Sequence, residues 1–283
     1  MKIMTIYAHP ADTITNCGGT LARHADAGDD IVAVILTHGG RIHPNTYAEE
    51  WRKDQPDPAI AGADEQAVIA NKKRELERAA DIIGIKKLLT FDLDDAMTTV
   101  HEDVVDRVAE AVAAKQPDVV LCDYPLNAVA TTNPHISATM TALAGIGRAS
   151  IFLKNLDSRA EVNVKQVFFT SLPVHTADGL SLYGVRNDLF VDITPVVGRK
   201  VAAMDCFGSQ GYAGLFARKL IESNNGEFGR VAGVNFAEAY SRMRNETHSL
   251  LPVTEAALAE DPLTRHVTYS EIDLRATYPW NEP

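Results

Sequence analysis

The feature that most constrains the fold is the alternation of short apolar runs with stretches of helical periodicity. The run 3–8 is apolar and stops abruptly at His9-Pro10. Asn16-Cys17-Gly18-Gly19 then opens a helical stretch to about Ala27, and 31–36 is a second apolar run. Unbroken apolar runs of this length, bounded by turn residues, suit strands covered on both faces, and two of them joined by a helix make a parallel unit. Leu76, Ala79, Ala80 and Ile83 recur at helical spacing and stop at Gly84, a natural helix C-cap, before the strand-like run 88–91. Residues 104–114 read as an amphipathic helix, 118–122 as a buried strand, and 136–147 as a helix after a polar loop. The alternation predicts an α/β architecture: a doubly wound, mostly parallel sheet with helices on both faces.

Between Leu36 and Asn71 lies a stretch rich in Gly, His, Pro and acids, far longer than an ordinary strand-to-helix connection, which marks it as a candidate lid. Farther on, 164–170 and 189–193 read as strands. Pro195 is expected to start a long helix through Ala217, 237–243 a shorter helix, and the polar tail from Asp261 to wrap the surface. The expectation is one domain over 1–283, with a core of about 1–220 and a C-terminal extension of about 221–283.

Hydrophobic residues make up 46% of the chain, enough to bury a sheet of this kind. The formal charge of −11 leaves no basic stripe, which argues against nucleic acid and anionic membranes and for a small-molecule partner. Cys17, Cys122 and Cys206 form no CxxC pair, so neither a disulfide framework nor a thiolate metal site is expected. The N-terminus does not read as a signal peptide, and no apolar run is expected to reach membrane-spanning length. These features point to a cytoplasmic protein and leave a homo-oligomer open.

In open parallel sheets ligands bind beyond the carboxyl ends of strands, where His9 stands. An imidazole and a carboxylate three residues apart in the tight loop His9-Pro10-Ala11-Asp12 can converge on one cation, and Zn²⁺ accepts such N and O ligands but needs another from elsewhere. The same spacing equally suits a strand-end cap and a helix cap.

Ala8-His9-Pro10-Ala11-Asp12, followed by Gly18-Gly19-Thr20-Leu21-Ala22, resembles the signature of the PIG-L/LmbE superfamily, usually AHPDDE before a GGT-like helix start. Arg74-Glu75-Leu76-Glu77-Arg78, Val191-Asp192-Ile193-Thr194-Pro195, Lys200-Val201-Ala202-Ala203-Met204, Ser209-Gln210 and Ala237-Glu238-Ala239-Tyr240 extend the likeness. The resemblance implies a Rossmann-like fold and zinc-dependent N-deacetylase chemistry on amino-sugar conjugates, with another divalent metal as an alternative. It also implies a third ligand in a histidine loop after the fourth strand. Here that loop reads Thr132-Asn133-Pro134-His135-Ile136-Ser137, which supplies His135 if one residue is missing from the loop, whereas a gapless match puts Ile136 there.

The departures redirect the chemistry. Ala11 replaces the family aspartate that serves as general base, and Thr13 replaces the following glutamate. The 4-oxalomesaconate hydratases, one branch of the superfamily, resemble this chain in the Ala-Asp signature and around Lys200–Cys206, and they add water across a carbon–carbon double bond. The glutamate implicated in their proton transfer has no counterpart in Thr37-His38-Gly39-Gly40-Arg41-Ile42-His43-Pro44. His43 is the first candidate for the missing base, because imidazole titrates near neutrality, with Glu49, Glu50 and His38 as further candidates. Arg41 and Arg52 are candidates to bind a substrate carboxylate, His175 to reach the pocket, and Asp123 to orient a ligand histidine. The expectation is a metal-dependent enzyme that hydrates or hydrolyses a small polar or carboxylated substrate. An amide deacetylase with a relocated base and a degenerate, non-catalytic binding protein are the alternatives.

Overall fold

A computed structural model of the chain describes residues 1–41, 46–126, 133–156, 162–170 and 186–259. His43, His175 and the tail from Asp261 lie outside these described residues. The order of elements is β1 (Lys2–Tyr7), α1 (Asp12–Asp26), β2 (Asp30–Thr37), α2 (Thr46–Glu50), α3 (Pro58–Ala61), α4 (Glu65–Ile83), β3 (Lys87–Leu93), α5 (Glu102–Lys115), β4 (Val119–Asp123) and α6 (Pro134–Leu156). There follow β5 (Gln166–Thr170), β6 (Leu189–Asp192), α7 (Val197–Met204), α8 (Leu215–Leu220), α9 (Glu227–Ala232), β7 (Ala237–Arg242) and α10 (Glu255–Ala259).

The strands form one seven-stranded sheet in the order β3-β2-β1-β4-β5-β7-β6. The pairings from β3 across to β5 are parallel, whereas β7 runs antiparallel to both β5 and β6. Side chains alternate across β1 and are buried on both sides. Ile3 and Tyr7 join the core under α1, α4 and α7, while Met4 and Ile6 join the core under α5 and α6. From β1 the chain winds outward to β2 and β3, then crosses back to place β4 on the other side of β1. The carboxyl ends of β1 and β4 therefore flank a topological switch point, where the crossovers diverge and leave a crevice.

Three expectations are corrected. The segment 237–243 is a strand, not a helix. The helix propensity of Ala-Glu-Ala is outweighed by the ladder bonds that β7 gains between β5 and β6. The expected long helix from Pro195 is broken into a 3₁₀ turn (Thr194–Val196), α7, a second 3₁₀ turn (Gly208–Gln210) and α8. Gly211 and Gly214 there adopt φ of +76° and +65°, which no helix accommodates. Finally, α6 is longer than expected, and its stretch Pro134–Asn155, with mean hydropathy 1.4, is long and apolar enough to cross a membrane. It packs against α5, β1 and β4, burying Ala138, Ala142, Ala149 and Leu153.

Candidate metal centre

His9 follows β1 and is 2% exposed; Asp12 opens α1 and is 4% exposed. The loop between them is tied by its own polar groups. The His9 amide donates to Asp12 Oδ2 at 2.7 Å, and the Asp12 amide donates to the His9 carbonyl at 3.2 Å. His9 Nδ1 lies 3.4 Å from the same Asp12 oxygen. Thr37, at the end of β2, donates both its amide and its hydroxyl to the Ala8 carbonyl at 2.8 Å and so fixes the strand end from the neighbouring strand.

The other half of the site comes from β4 and α6. Asp123 ends β4, and its Oδ2 lies 3.0 Å from Nδ1 of His135 in the first turn of α6. Asp123 Oδ1 accepts from Asn16 Nδ2 at 2.7 Å and from the Thr170 hydroxyl at 3.2 Å, while its carbonyl accepts from the Thr139 hydroxyl at 2.9 Å. His135 Nδ1 also lies 3.5 Å from Asp12 Oδ2, so this ring nitrogen stands beside both carboxylates. The His9 and His135 rings meet edge to face with centroids 4.8 Å apart. One potential ligand atom from each of His9, Asp12 and His135 lies within 4.8 Å of the others.

This donor set fits a divalent cation by its chemistry: two imidazoles and a carboxylate, with one imidazole braced by an outer carboxylate. The electrostatics agree. Burial opposes a charge on His135, yet the Asp12 and Asp123 carboxylates outweigh it and raise the imidazole to about 9. Burial pushes the Asp123 carboxyl up, against the pull of His135. A cluster that draws a proton onto a buried imidazole also attracts a metal cation, which must displace that proton to bind.

Ala11 lies in this loop between His9 and Asp12 and is wholly buried. No carboxylate stands at its position. Glu50 is committed elsewhere, accepting from the Asp57 amide at 2.8 Å and from Lys53 Nζ at 2.6 Å. Glu49 and Arg52 are exposed. Arg41 pairs with Asp94 at 2.9 Å, and its amide donates to both Asp95 oxygens at 3.0 Å. His38 Nδ1 accepts from the Gly40 amide at 3.0 Å.

Sequence reasoning missed several neighbours. Asn16 lies one helical turn after Asp12, and that i,i+4 spacing is the signal that could have placed both on one face. Tyr212 gave no signal; burial and then the Asp12 carboxylate raise its hydroxyl well above the ordinary value, which places it within electrostatic reach of the site.

Fold and site together define an α/β protein with a two-histidine, one-carboxylate cluster at the switch point of a doubly wound sheet. The chain carries a PIG-L family domain: residues 4–144 match the family model described as GlcNAc-PI de-N-acetylase. It is 26% identical to the 4-oxalmesaconate hydratase of Pseudomonas putida over 73% of each chain. It is 23% identical to the diacetylchitobiose deacetylase of Thermococcus kodakarensis over 74% of this chain and 70% of that one. Among solved structures, the 4-carboxy-2-hydroxymuconate hydratase of Pseudomonas putida superposes with a TM-score of 0.70 at 23% identity, covering 89% of this chain and 99% of that one. The relatives are thus hydratase and deacetylase enzymes, and the shared fold is α/β as the strand pattern implied.

Proposed function

We propose that the protein is a zinc-dependent hydratase of a small unsaturated or keto di- or tricarboxylate, with His9, Asp12 and His135 as the metal ligands. The observation that carries the reading is the buried methyl group of Ala11 in the same loop as two of those ligands. Amide hydrolysis needs a base there, and general-base assistance is worth about 10²–10⁴ in rate. The likeness to a hydratase over 73% of the chain supports the same direction.

In this reading a bound Zn²⁺ supplies Lewis acidity, lowering the pKa of water and polarising a substrate oxygen. Asp123 holds the His135 ring through Nδ1, the outer carboxylate contact that fixes a ligand histidine's orientation. His43 delivers or removes the proton at the substrate carbon, with Glu49 as the alternative; the loop that carries them starts at the end of β2, beside β1. Arg41, Arg52 and His175 are assigned to substrate carboxylates, which a planar guanidinium pairs through two oxygens at once.

The deacetylase reading keeps two supports, the family model and the likeness to a diacetylchitobiose deacetylase over 74% of the chain. Purified protein reconstituted with zinc separates the two readings. Hydration of a conjugated di- or tricarboxylate, followed by loss of ultraviolet absorbance, should far exceed acetate release from an N-acetylglucosamine conjugate. Ala11→Asp should lower the hydration rate and introduce weak acetate release. Efficient acetate release by the unmodified protein would replace this reading with the deacetylase one, and absence of bound zinc after supplementation would remove both.

A further inference from the structure

Helix α1 is broken at Cys17, whose φ and ψ of −141° and 16° are not helical. What occupies the break is a buried ion pair brought from the far end of the chain. Lys200 of α7 and Glu238 of β7 lie 2.7 Å apart and are 0% and 1% exposed. In an unbroken helix the amides of Gly19 and Thr20 would donate to the carbonyls of Thr15 and Asn16. Here the Gly19 amide donates to Glu238 Oε1 at 2.9 Å and the Thr20 amide to Oε2 at 2.7 Å. Lys200 Nζ in turn donates to the Thr15 carbonyl at 2.9 Å. The ion pair is thus spliced into the helix ladder, with the carboxylate capping the second half of α1 and the ammonium capping the first.

The splice is completed by its surroundings. Lys200 Nζ gives another hydrogen to Asn225 Oδ1 at 3.1 Å, so its donors are used, and the Tyr240 hydroxyl reaches Glu238 Oε2 at 3.1 Å and Thr20 Oγ1 at 2.6 Å. Gly18 and Gly19 let the broken helix pack closely on its neighbours. A Cβ at Gly19 would stand 2.6 Å from Ile193 Cγ2, too close for any side chain, and one at Gly18 would press on Ile14 Cγ2 at 3.3 Å. A buried pair is not needed for stability, since an apolar pair of similar volume is often as good or better. Its geometric effect is specific: it detaches the turn Asp12–Asn16 from the axis of the rest of α1. That turn carries Asp12 at one end and, at the other, Asn16, which holds Asp123 and through it His135.

We propose that Lys200 and Glu238 are positioning residues for the metal centre: together they set the angle of the Asp12–Asn16 turn and hence the placing of Asp12 and the Asn16–Asp123–His135 relay. The proposal rests on the reading of His9, Asp12 and His135 as metal ligands. Its test is the double variant Lys200→Met with Glu238→Leu, which removes both charges and lets the ladder re-form. Either single change leaves a buried unpaired charge and is expected to unfold the protein. The double variant should melt at or above the unmodified protein yet bind zinc about 10–100-fold more weakly in competition with a chelator, the usual range for lost outer-shell support. Unchanged zinc affinity in a folded double variant overturns the proposal. Should that variant fail to fold, Lys200→Leu with Glu238→Met, which also removes both charges and the acceptor for the helix amides with different side-chain shapes, is judged by the same measurement. His135→Ala serves as the control for the ligand reading. If the unmodified protein binds no zinc, that reading falls separately, and a metal-free crystal structure of the double variant decides this one. Gly19 and Thr20 amides returned to the Thr15 and Asn16 carbonyls with Asp12 displaced support it; Asp12 in its original place overturns it.

Discussion

Two buried polar clusters flank the same helix, and they differ in how they are closed. Around Lys200 and Glu238 the ammonium donates to three acceptors, while the carboxylate takes two backbone amides, the ammonium and the Tyr240 hydroxyl. Around His9, Asp12 and His135 the side chains converge from β1, α1 and α6 with ligand atoms gathered in one place and carboxylates that draw a proton onto His135. The first cluster needs nothing from outside. The second gathers donor atoms that could hold a cation, and it lies at the carboxyl ends of β1 and β4, beside the switch point of the sheet. Buried charge by itself therefore does not mark a candidate site; the convergence of ligand atoms is what separates the two clusters.

The strongest way to break this contrast is His135→Ala. Two remaining ligands hold a metal poorly, so elemental analysis after dialysis should find most of the metal gone, and the metal-free protein should melt lower because buried Asp12 and Asp123 lose their cationic partner. Full metal retention would remove His135 from the ligand set and rule out the loop match that supplies it. A milder change, Asp123→Asn, keeps the shape and removes the charge that braces His135 Nδ1. Its metal affinity should fall by about 10–100-fold in chelator competition, and an unaltered affinity would make the Asp123–His135 contact merely structural.

The smallest effect concerns a third buried charge, which belongs to neither cluster. Lys72 of α4 is fully buried and donates to the Gly39 carbonyl. Burial lowers its pKa to about 8, against the opposing pull of Asp95 and Glu75. A lysine whose folded pKa is depressed loses its proton sooner in the folded than in the unfolded chain, so stability rises with pH from about 8 to the ordinary lysine value. Relative to Lys72→Met, the unmodified protein should gain about 1 kcal/mol between pH 7 and pH 9 in denaturant titrations. A flat difference would mean that Asp95 and Glu75 keep Lys72 charged, and would place it with the closed pair.

Much of the parallel half of the sheet was legible in the chain itself. The run 3–8, the periodic Leu76-Ala79-Ala80-Ile83 and Gly84 each carry a local rule, because strands buried on both faces are uniformly apolar and helices show their inner stripe. His9 and Asp12 were legible for a similar reason: both lie in one short loop, so their meeting is a local matter. The antiparallel edge was not legible. Ala237–Arg242 has no alternation to betray a strand, because Ala237 through Ser241 are all buried and one of them is a charged glutamate.

What the sequence by itself determined is therefore the α/β class and the pairing of His9 with Asp12 at the carboxyl end of β1, with Ala11 between them where the resembling family has its base. The sequence offered His135 and Asp123 only as candidates; tertiary structure decided that His135 reaches the His9–Asp12 loop, that Asn16 joins Asp123 in bracing it, and that Lys200 and Glu238 enter the ladder of α1. The physical reason is sequence separation. Thr15 and Lys200 are 185 residues apart and Gly19 and Glu238 are 219 apart, so no local periodicity encodes their hydrogen bonds. They form only once the sheet has closed its order and buried groups must find partners wherever the packing brings them.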